Sequence, residues 1–240
     1  MNKILQFLLI IFISSVSIAA APNNFYEAKI IAKRLFITYP ETIYSGCTFD
    51  LLWHIDFSSC DFKPESSNIR DHKIEFEHIF PMAQAKYHFS CWCNRLCTDK
   101  YGRKYGGRKC CQKIEPKFQQ LEGELYNLYP EIGSINKAKN NFKFTEFSNN
   151  DKERLGKYRG SLYIDFKNKR AEPRDKVKGI VARATLFIAE KYNLRLSRSQ
   201  QKLFEIWTRK YPPDRTELNW ANKIAIIEGY ENCFIYSHVN

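Results

Sequence analysis

Two adjacent residues, Glu77 and His78, carry the side chains best suited to catalysis in this sequence. They lie in the alternating segment 73–79, which predicts a β-strand that ends before Pro81. Neighbouring residues of a strand point to opposite faces, so the two side chains can play different parts at one reacting centre. A carboxylate suits a hard cation such as Mg²⁺, and an imidazole suits the abstraction of a proton from water. Such a pair is also common as a plain surface feature.

Two further groups offer complementary chemistry. In the run Gly106-Gly107-Arg108-Lys109, the glycines let the backbone approach a ligand, and Arg108 can form two hydrogen bonds to a phosphate. Asn127 and Asn136 each offer an amide oxygen that could join Glu77 in a magnesium site. Both asparagines could equally be cap or turn residues, and chemistry alone does not choose between them.

The N-terminus has the features of a secretory signal peptide. Lys3 precedes an almost wholly apolar run at 4–13, and small residues follow up to Ala21. We expect residues 1–21 to be removed, which leaves 22–240 as a single domain without stable membrane insertion. An uncleaved anchor is the alternative, but the apolar run is well short of the roughly 20 residues that cross a bilayer.

Export changes how the eight cysteines are interpreted. In an oxidising compartment disulfides are the default, and the local pairs are Cys47 with Cys60, and Cys91 with Cys110 or Cys111. A zinc site in the segment 91–111 is the competing interpretation. Its C-x-C-x3-C spacing differs from common zinc-finger patterns, and no histidine lies in register.

Charge is distributed unevenly along the 240 residues, whose net charge is +12. The segment 137–215 holds 21 basic and 9 acidic residues, and the rest of the chain holds 17 of each. Such an excess attracts a polyanion or an anionic membrane surface, although it could also be a solvated basic face. The 44% hydrophobic content, with 15% aromatics, excludes a disordered chain.

Hydrophobic spacing predicts a mixture of helices and short strands, hence the α+β class. The predicted strands are 45–62 (an alternating hairpin edge), 73–79 and 163–166. The predicted helices are 24–39, 114–128, 177–192, a helix capped by Ser197 that runs through Trp207, and 216–227 closed by Gly229. We expect a cysteine-rich loop at 90–111.

In their order and spacing, these segments resemble the bacterial endonuclease I family, exported non-specific nucleases of the ββα-metal (His-Me finger) superfamily. The resemblance starts at Glu75-Phe76-Glu77-His78-Ile79-Phe80-Pro81 and continues through Gly107-Arg108-Lys109 and Gly133-Ser134-Ile135-Asn136. Further matching segments are Asn127-Leu128, Asp165-Phe166, Ala171-Glu172-Pro173-Arg174, Gly179-Ile180-Val181-Ala182-Arg183 and Tyr192-Asn193-Leu194. It implies an α+β fold with a ββα-metal finger core, a short antiparallel sheet and several surrounding helices, with two lobes that form a basic cleft.

The resemblance also implies roles for particular residues. Glu77 and Asn136 would hold one Mg²⁺ (or Mn²⁺ or Ca²⁺), His78 would be the general base, and Arg108 would bind the phosphate. The residues expected to contact nucleic acid are Arg108, Lys109, Lys137, Lys139, Arg174 and Arg183. The implied enzyme is a periplasmic or secreted monomer that cleaves DNA and also RNA with little sequence specificity and leaves 5′-phosphates.

The chain departs from the family pattern at several positions. The family usually has His-Asn-Leu at 126–128 and Gly-Asp-Arg at 137–139, where this chain has Tyr-Asn-Leu and Lys-Ala-Lys. Cys93, Cys97 and Cys110 are additional, and Cys233 stands where proline is expected. Two alternatives to a nuclease therefore stay open, a non-catalytic basic nucleic-acid-binding module and a disulfide-stapled secreted effector.

Overall fold

A computed structural model describes residues 20–155, 158 and 160–237 of the chain. Apart from its last two residues, the predicted signal peptide lies outside this part. The described residues form an α+β fold, as the spacing predicts. Within them, no helix is both long and apolar enough to cross a membrane.

The described residues form ten α-helices and nine short strands. The helices are α1 (Phe25–Phe36), α2 (Ser90–Cys93), α3 (Arg108–Ile114), α4 (Pro116–Gly123), α5 (Gly133–Lys139), α6 (Asn149–Arg154), α7 (Asp175–Lys191), α8 (Arg198–Lys210), α9 (Arg215–Glu228) and α10 (Cys233–Tyr236). The strands are β1 (Thr48–Phe49), β2 (Ile55–Asp56), β3 (Ile74–His78), β4 (Cys97–Thr98), β5 (Lys104–Tyr105), β6 (Leu128–Ile132), β7 (Lys143–Phe144), β8 (Leu162–Asp165) and β9 (Arg170–Pro173).

The strands form small sheets rather than one large one. Three antiparallel pairs join β1 with β2, β3 with β6, and β4 with β5. A three-stranded sheet has the order β7-β9-β8, in which β9 is parallel to β7 and antiparallel to β8. The strand predicted at 163–166 corresponds to β8.

Strands β3 and β6 and helix α5 pack against one another. β3 pairs with β6 over five residues, with Glu77 opposite Tyr129 and His78 opposite Leu128. Because β6 runs antiparallel to β3, α5 begins beside the amino end of β3, and its later residues Asn136 and Lys139 lie beside Phe76 and Glu77. All five residues of β6 are buried. β3 is positioned by its pairing with this buried strand.

The prediction of one helix across 114–128 is wrong in its second half. Helix α4 ends at Gly123, a single 3-10 turn follows at Leu125–Asn127, and the chain then enters β6. A Cβ at Gly123 would crowd the backbone of Asn24, so the glycine allows α1 and α4 to approach closely. Leu125 and Leu128 are buried as helical spacing requires, but they are buried by tertiary packing.

The helices predicted in the last third of the chain are confirmed. α7 is buried along most of its length and packs against α8. The Ser197 side chain accepts a hydrogen bond from the Gln200 backbone N–H at the start of α8. Gly229 ends α9 with φ of 77°, the left-handed conformation that glycine adopts without strain. The predicted helix at 24–39 is α1, capped by Asn24.

The continuous strand predicted across 45–62 is reduced to β1 and β2, two residues each. Trp53 has a φ of 68° in the turn between them, and the side chains of Leu51 and Leu52 are exposed. Alternation alone was misleading here because two of the alternating apolar side chains lie in a tight turn. The disulfide Cys47–Cys60 closes this segment.

Three disulfides hold the described residues together. They are Cys47–Cys60, Cys91–Cys111 and Cys97–Cys110. Of the two partners considered for Cys91, the structure pairs it with Cys111. Within the described part, Cys93 and Cys233 are free thiols. The zinc alternative for segment 91–111 is wrong, because four of its five cysteines are paired with one another.

Candidate functional site

The four residues singled out for catalysis line one cleft. Glu77 and His78 come from the end of β3, Arg108 from the start of α3 and Asn136 from the middle of α5. The cleft has a volume of about 410 Å³. Its other lining residues are Phe25, Glu75, Phe76, Pro81, Met82, Ala83, Trp92, Asn140 and Asn141. Groups that are up to 59 positions apart in the sequence therefore meet at one surface.

Only one of the two carboxylate oxygens of Glu77, Oε1, contacts polar groups of the described residues. Its side chain is 5% exposed, and its Oε1 accepts a hydrogen bond from the Tyr44 hydroxyl at 3.1 Å. The Lys139 ammonium lies 3.4 Å from the same oxygen. Within the described part of the chain, Oε2 accepts no hydrogen bond, so it is the oxygen free to bind a cation. Burial raises the pKa of Glu77 to about 7, although the Lys139 charge and the Tyr44 hydroxyl oppose that shift.

The two candidate asparagines have different surroundings. Asn136 is half-buried, and its Nδ2 donates to the Phe76 carbonyl at 3.3 Å, which leaves Oδ1 without a donor among the described residues. Asn127 is fully buried, and both ends of its amide bond the backbone of Phe80, at 2.7 and 3.1 Å. Only Asn136 therefore has an oxygen available for a metal ion. Asn127 fastens the chain after β3 to the start of β6.

The ring of His78 is oriented by a backbone carbonyl. Its Nε2 lies 2.9 Å from the carbonyl oxygen of Glu122, which can only accept a hydrogen bond. The proton of a neutral imidazole therefore lies on Nε2, and Nδ1 keeps a free lone pair. Burial lowers the pKa of His78 to about 3, and the nearby Arg108 charge contributes, so the ring is neutral at ordinary pH.

Glu122 also holds Arg108. Its buried carboxylate accepts hydrogen bonds from Arg108 Nε and, at 2.8 and 2.9 Å, from Gln112 Nε2. The side chain of Arg108 stays 42% exposed, so the guanidinium is fixed at one edge and open at the other. Gly107, with φ of 88°, provides the turn into α3 that places Arg108 at the cleft.

Phe25 packs between these groups. Its ring centroid lies 4.8 Å from that of His78, and the guanidinium of Arg108 lies 5.7 Å from the same centroid. The sequence analysis missed Phe25, Tyr44 and Glu122 as site residues. Glu122 belongs to the acidic run that follows Leu121, but no spacing in the sequence marks Phe25 or Tyr44, because tertiary packing alone brings them to the cleft.

Two of the six residues expected to contact nucleic acid are buried, and that expectation is corrected for both. Lys139 is fully buried beside Glu77, and Arg183 is 1% exposed and hydrogen-bonded through Nε to Glu217 at 2.7 Å. Arg174 is partly buried and paired with Glu41 at 2.8 Å. A basic residue in a charge-rich segment can serve an internal ion pair, and net charge cannot reveal this. Lys109 and Lys137 are exposed, like Arg108.

Two oxygen donors at the cleft have the chemistry to bind a cation. Among the residues that the structure describes, no group of three or more His, Cys, Asp and Glu side chains could hold a metal ion. Glu77 and Asn136, whose Oε2 and Oδ1 are hard donors, line the same cleft. Two such donors, with water completing the coordination, are a common arrangement for Mg²⁺.

Comparison with known proteins places these features in context. The sequence model described as Endonuclease I matches residues 31–238. An extracellular deoxyribonuclease of Aeromonas hydrophila is 32% identical over 98% of this chain and 97% of its own length. A periplasmic deoxyribonuclease of the same organism is 34% identical over 90% of this chain and 87% of its own length. Endonuclease-1 of Buchnera aphidicola is 33% identical over 90% of this chain and 82% of its own length.

Proposed function

The chain belongs to the endonuclease I family, and from this premise we propose that it is an exported, metal-dependent endonuclease. It hydrolyses phosphodiester bonds of DNA, and also of RNA, with little sequence specificity. The observation that carries the proposal is the convergence of Glu77, His78, Arg108 and Asn136 on one cleft. A carboxylate and an amide oxygen that would hold a divalent cation, a neutral imidazole as base and an arginine for the phosphate are together sufficient for this hydrolysis.

In this proposal, β3, β6 and α5 are the ββα-metal unit of the enzyme. Glu77 Oε2 and Asn136 Oδ1 hold one divalent cation, with Mg²⁺ the preferred ion. The donor set fits because both atoms are hard oxygens that are left without hydrogen-bond donors while the rest of each side chain is held. The bound cation supplies Lewis-acid stabilisation of charge on the phosphate and on the leaving 3′ oxygen.

His78 accepts the proton of the attacking water at Nδ1. The Glu122 carbonyl keeps the ring proton on Nε2 and fixes the ring plane, so no tautomer change is needed. The lowered pKa keeps the imidazole unprotonated and therefore able to act as a base. Attack on phosphorus with departure of the 3′ oxygen leaves the phosphate on the 5′ side.

Arg108 binds the phosphate with the open edge of its guanidinium. Glu122 holds the other edge, so little side-chain entropy is lost when the phosphate binds. Phosphate contacts carry no base information, which accounts for cleavage with little sequence preference. Lys109 and Lys137 are the exposed cations that extend this contact along the backbone of the substrate.

Export to the periplasm or the medium agrees with three observations. The first 21 residues have the pattern of a signal peptide. Three disulfides suit an oxidising compartment. The similar Aeromonas hydrophila proteins are named extracellular and periplasmic deoxyribonucleases.

The proposal is tested on supercoiled plasmid with the mature, oxidised protein. We expect nicking and then degradation with Mg²⁺, none with EDTA, and loss of most activity in His78→Ala while DNA binding persists. Retardation of the plasmid without cleavage across several divalent ions would instead favour a binding module on a nuclease fold. Equal loss of cleavage and binding in a folded His78→Ala protein would contradict the role of His78 as the base.

A further inference from the structure

The cysteine-rich segment next to the cleft is strongly basic in its own right. Residues 82–114 contain eight lysines and arginines and one acidic residue. Within the described part of the chain, only Arg103 and Arg108 of these eight form an ion pair. The other cations are exposed or half-buried and lack a carboxylate partner: Lys86, Arg95, Lys100, Lys104, Lys109 and Lys113. This surface therefore keeps its charge available to a polyanion.

A hairpin projects from this segment and ends in an aromatic ring. We define the stapled hairpin as residues 95–107, which comprise β4, a turn and β5. Tyr101 in the turn is 69% exposed. Lys100 Nζ lies 4.9 Å from its ring centroid, and the Arg103 guanidinium lies 5.2 Å from it. An exposed ring with two cations close to it combines a stacking surface with groups that can bind phosphate, although Arg103 also pairs with Asp99 at 2.7 Å.

The turn that carries Tyr101 is ordered by its own hydrogen bonds. Asp99 Oδ1 accepts from the backbone N–H of Tyr101 at 2.8 Å and of Arg103 at 2.9 Å. Gly102 has a φ of 79° and so completes the turn without strain. The ring is therefore displayed by a formed turn, which lowers the entropy cost of binding a partner.

The hairpin is fixed to the same framework as the cleft. Cys97–Cys110 joins β4 to α3, the helix that begins with Arg108, and Cys91–Cys111 joins α3 to α2. The Gly107 N–H lies 3.1 Å from the carbonyl oxygens of both Cys91 and Trp92. Tyr101 and Arg108 are seven residues apart, so their backbones are separated by at most roughly 24 Å. That is roughly seven nucleotides of a stacked strand.

We propose that the stapled hairpin binds the nucleic-acid strand that leaves the cleft, with Tyr101 stacked on an unpaired base and Lys100 and Arg103 beside the flanking phosphates. This inference rests on the proposed function and deepens it, since it adds a second contact region for the same substrate. It also assigns a role to the Cys97–Cys110 disulfide, which fixes the hairpin relative to Arg108.

Binding of single-stranded DNA in EDTA tests the contact without cleavage. The probe is a strand of about 15 nucleotides, long enough to reach from Arg108 to Tyr101, with a fluorescent adenine analogue at successive positions. In Tyr101→Leu we expect Kd to rise about 5- to 100-fold and the quenching of the analogue at one position to disappear. Tyr101→Phe is the matched control, because it keeps the ring and should bind and quench like the wild type.

Substrate length provides an independent measurement. With Mg²⁺ present, the ratio of kcat/KM for the long strand to kcat/KM for a dinucleotide should fall in Tyr101→Leu, because a dinucleotide in the cleft does not reach the hairpin. Equal binding, quenching and length ratio in Tyr101→Leu and Tyr101→Phe would overturn the inference while leaving the nuclease intact. If the wild type fails to cleave but the two variants still differ in binding, the proposed function fails and the hairpin contact stands.

Discussion

Asn127 and Asn136 have the same side chain, but their different hydrogen-bond partners indicate different roles. Asn127 uses both ends of its amide on the Phe80 backbone, whereas Asn136 uses only its Nδ2. The first is expected to contribute to stability, and the second to metal binding. The chemistry of the side chain is identical, so the difference comes entirely from which backbone groups lie within reach.

We therefore expect Asn136→Ala and Asn127→Ala to fail in different ways. Asn136→Ala should weaken Mn²⁺ binding, measured by calorimetry without substrate, and leave the free energy of unfolding nearly unchanged. Asn127→Ala should lower the free energy of unfolding by about 2 kcal/mol in urea, because it leaves a buried N–H and a buried carbonyl of Phe80 unpaired. If Asn127→Ala instead weakened Mn²⁺ binding more, the proposed ligand assignment would be wrong.

Lys139 has a structural role inside the candidate site. The chain has Lys-Ala-Lys at 137–139, and the last of these lysines lies fully buried beside Glu77 and over the ring of Phe144, at 4.4 Å from its centroid. Burial lowers the pKa of Lys139, while the Glu77 charge opposes that shift. Its ammonium offsets part of the cost of burying the Glu77 carboxylate. The residue thus belongs to the interior of the site, and not to the surface that meets the substrate.

Sequence patterns predicted the last three long helices well, but of the β3–β6 sheet they predicted only β3. α7, α8 and α9 have apolar faces and end signals, such as Ser197 and Gly229, that act within a few residues. β6 was missed because its residues, Leu-Tyr-Pro-Glu-Ile, are all buried and so show no alternation. Periodicity reports a boundary between core and solvent, and a strand buried on both sides does not have one.

The candidate site was predictable to a similar degree. Glu77, His78, Arg108 and Asn136 were identified through resemblance of their segments to a family, and the structure brings them to one cleft. Phe25 could not be found in that way, because its position follows from the packing of α1 against α4, elements separated by some 80 residues. A contact between segments so far apart leaves no pattern in the local sequence.

The disulfide between Cys97 and Cys110 should stabilise the stapled hairpin. Its loop spans 13 residues, so removing it in Cys97→Ala/Cys110→Ala should lower the free energy of unfolding by about 3 kcal/mol. Chemical denaturation checks this value. Cys93→Ala is the matched control, because Cys93 is an exposed free thiol in the same segment and its loss should be nearly neutral.

A thiol titration of the unfolded, oxidised protein provides the complementary measurement. Two reactive thiols, from Cys93 and Cys233, are expected. Eight would show that the exported protein contains no disulfides, and a stability of the double variant equal to that of Cys93→Ala would show that the hairpin does not depend on its bridge.

The distribution of unpaired charge over the surface differs from the distribution of charge along the sequence. In 137–215, nine cations of the described residues form ion pairs, among them Lys139, Arg174 and Arg183. In 82–114, the described residues include only two such cations. An exposed cation without a carboxylate partner keeps its full charge and its counterions available for exchange with a phosphate. The cysteine-rich segment is therefore expected to contribute to the attraction for nucleic acid, alongside the cations of 137–215 that form no ion pair.

The salt dependence of DNA binding measures this distribution directly. Each phosphate contact that is removed should reduce the slope of log K against log salt concentration by about 0.9 for duplex DNA, because fewer counterions are released. Lys104→Gln/Lys109→Gln removes two exposed, unpaired cations and should reduce the slope by nearly twice that amount. Lys176→Gln is the control, because Lys176 is 60% exposed but pairs with Glu41 at 3.0 Å, and its loss should change the slope by much less. A larger change in Lys176→Gln than in the double variant would contradict the contribution of the cysteine-rich segment to DNA binding.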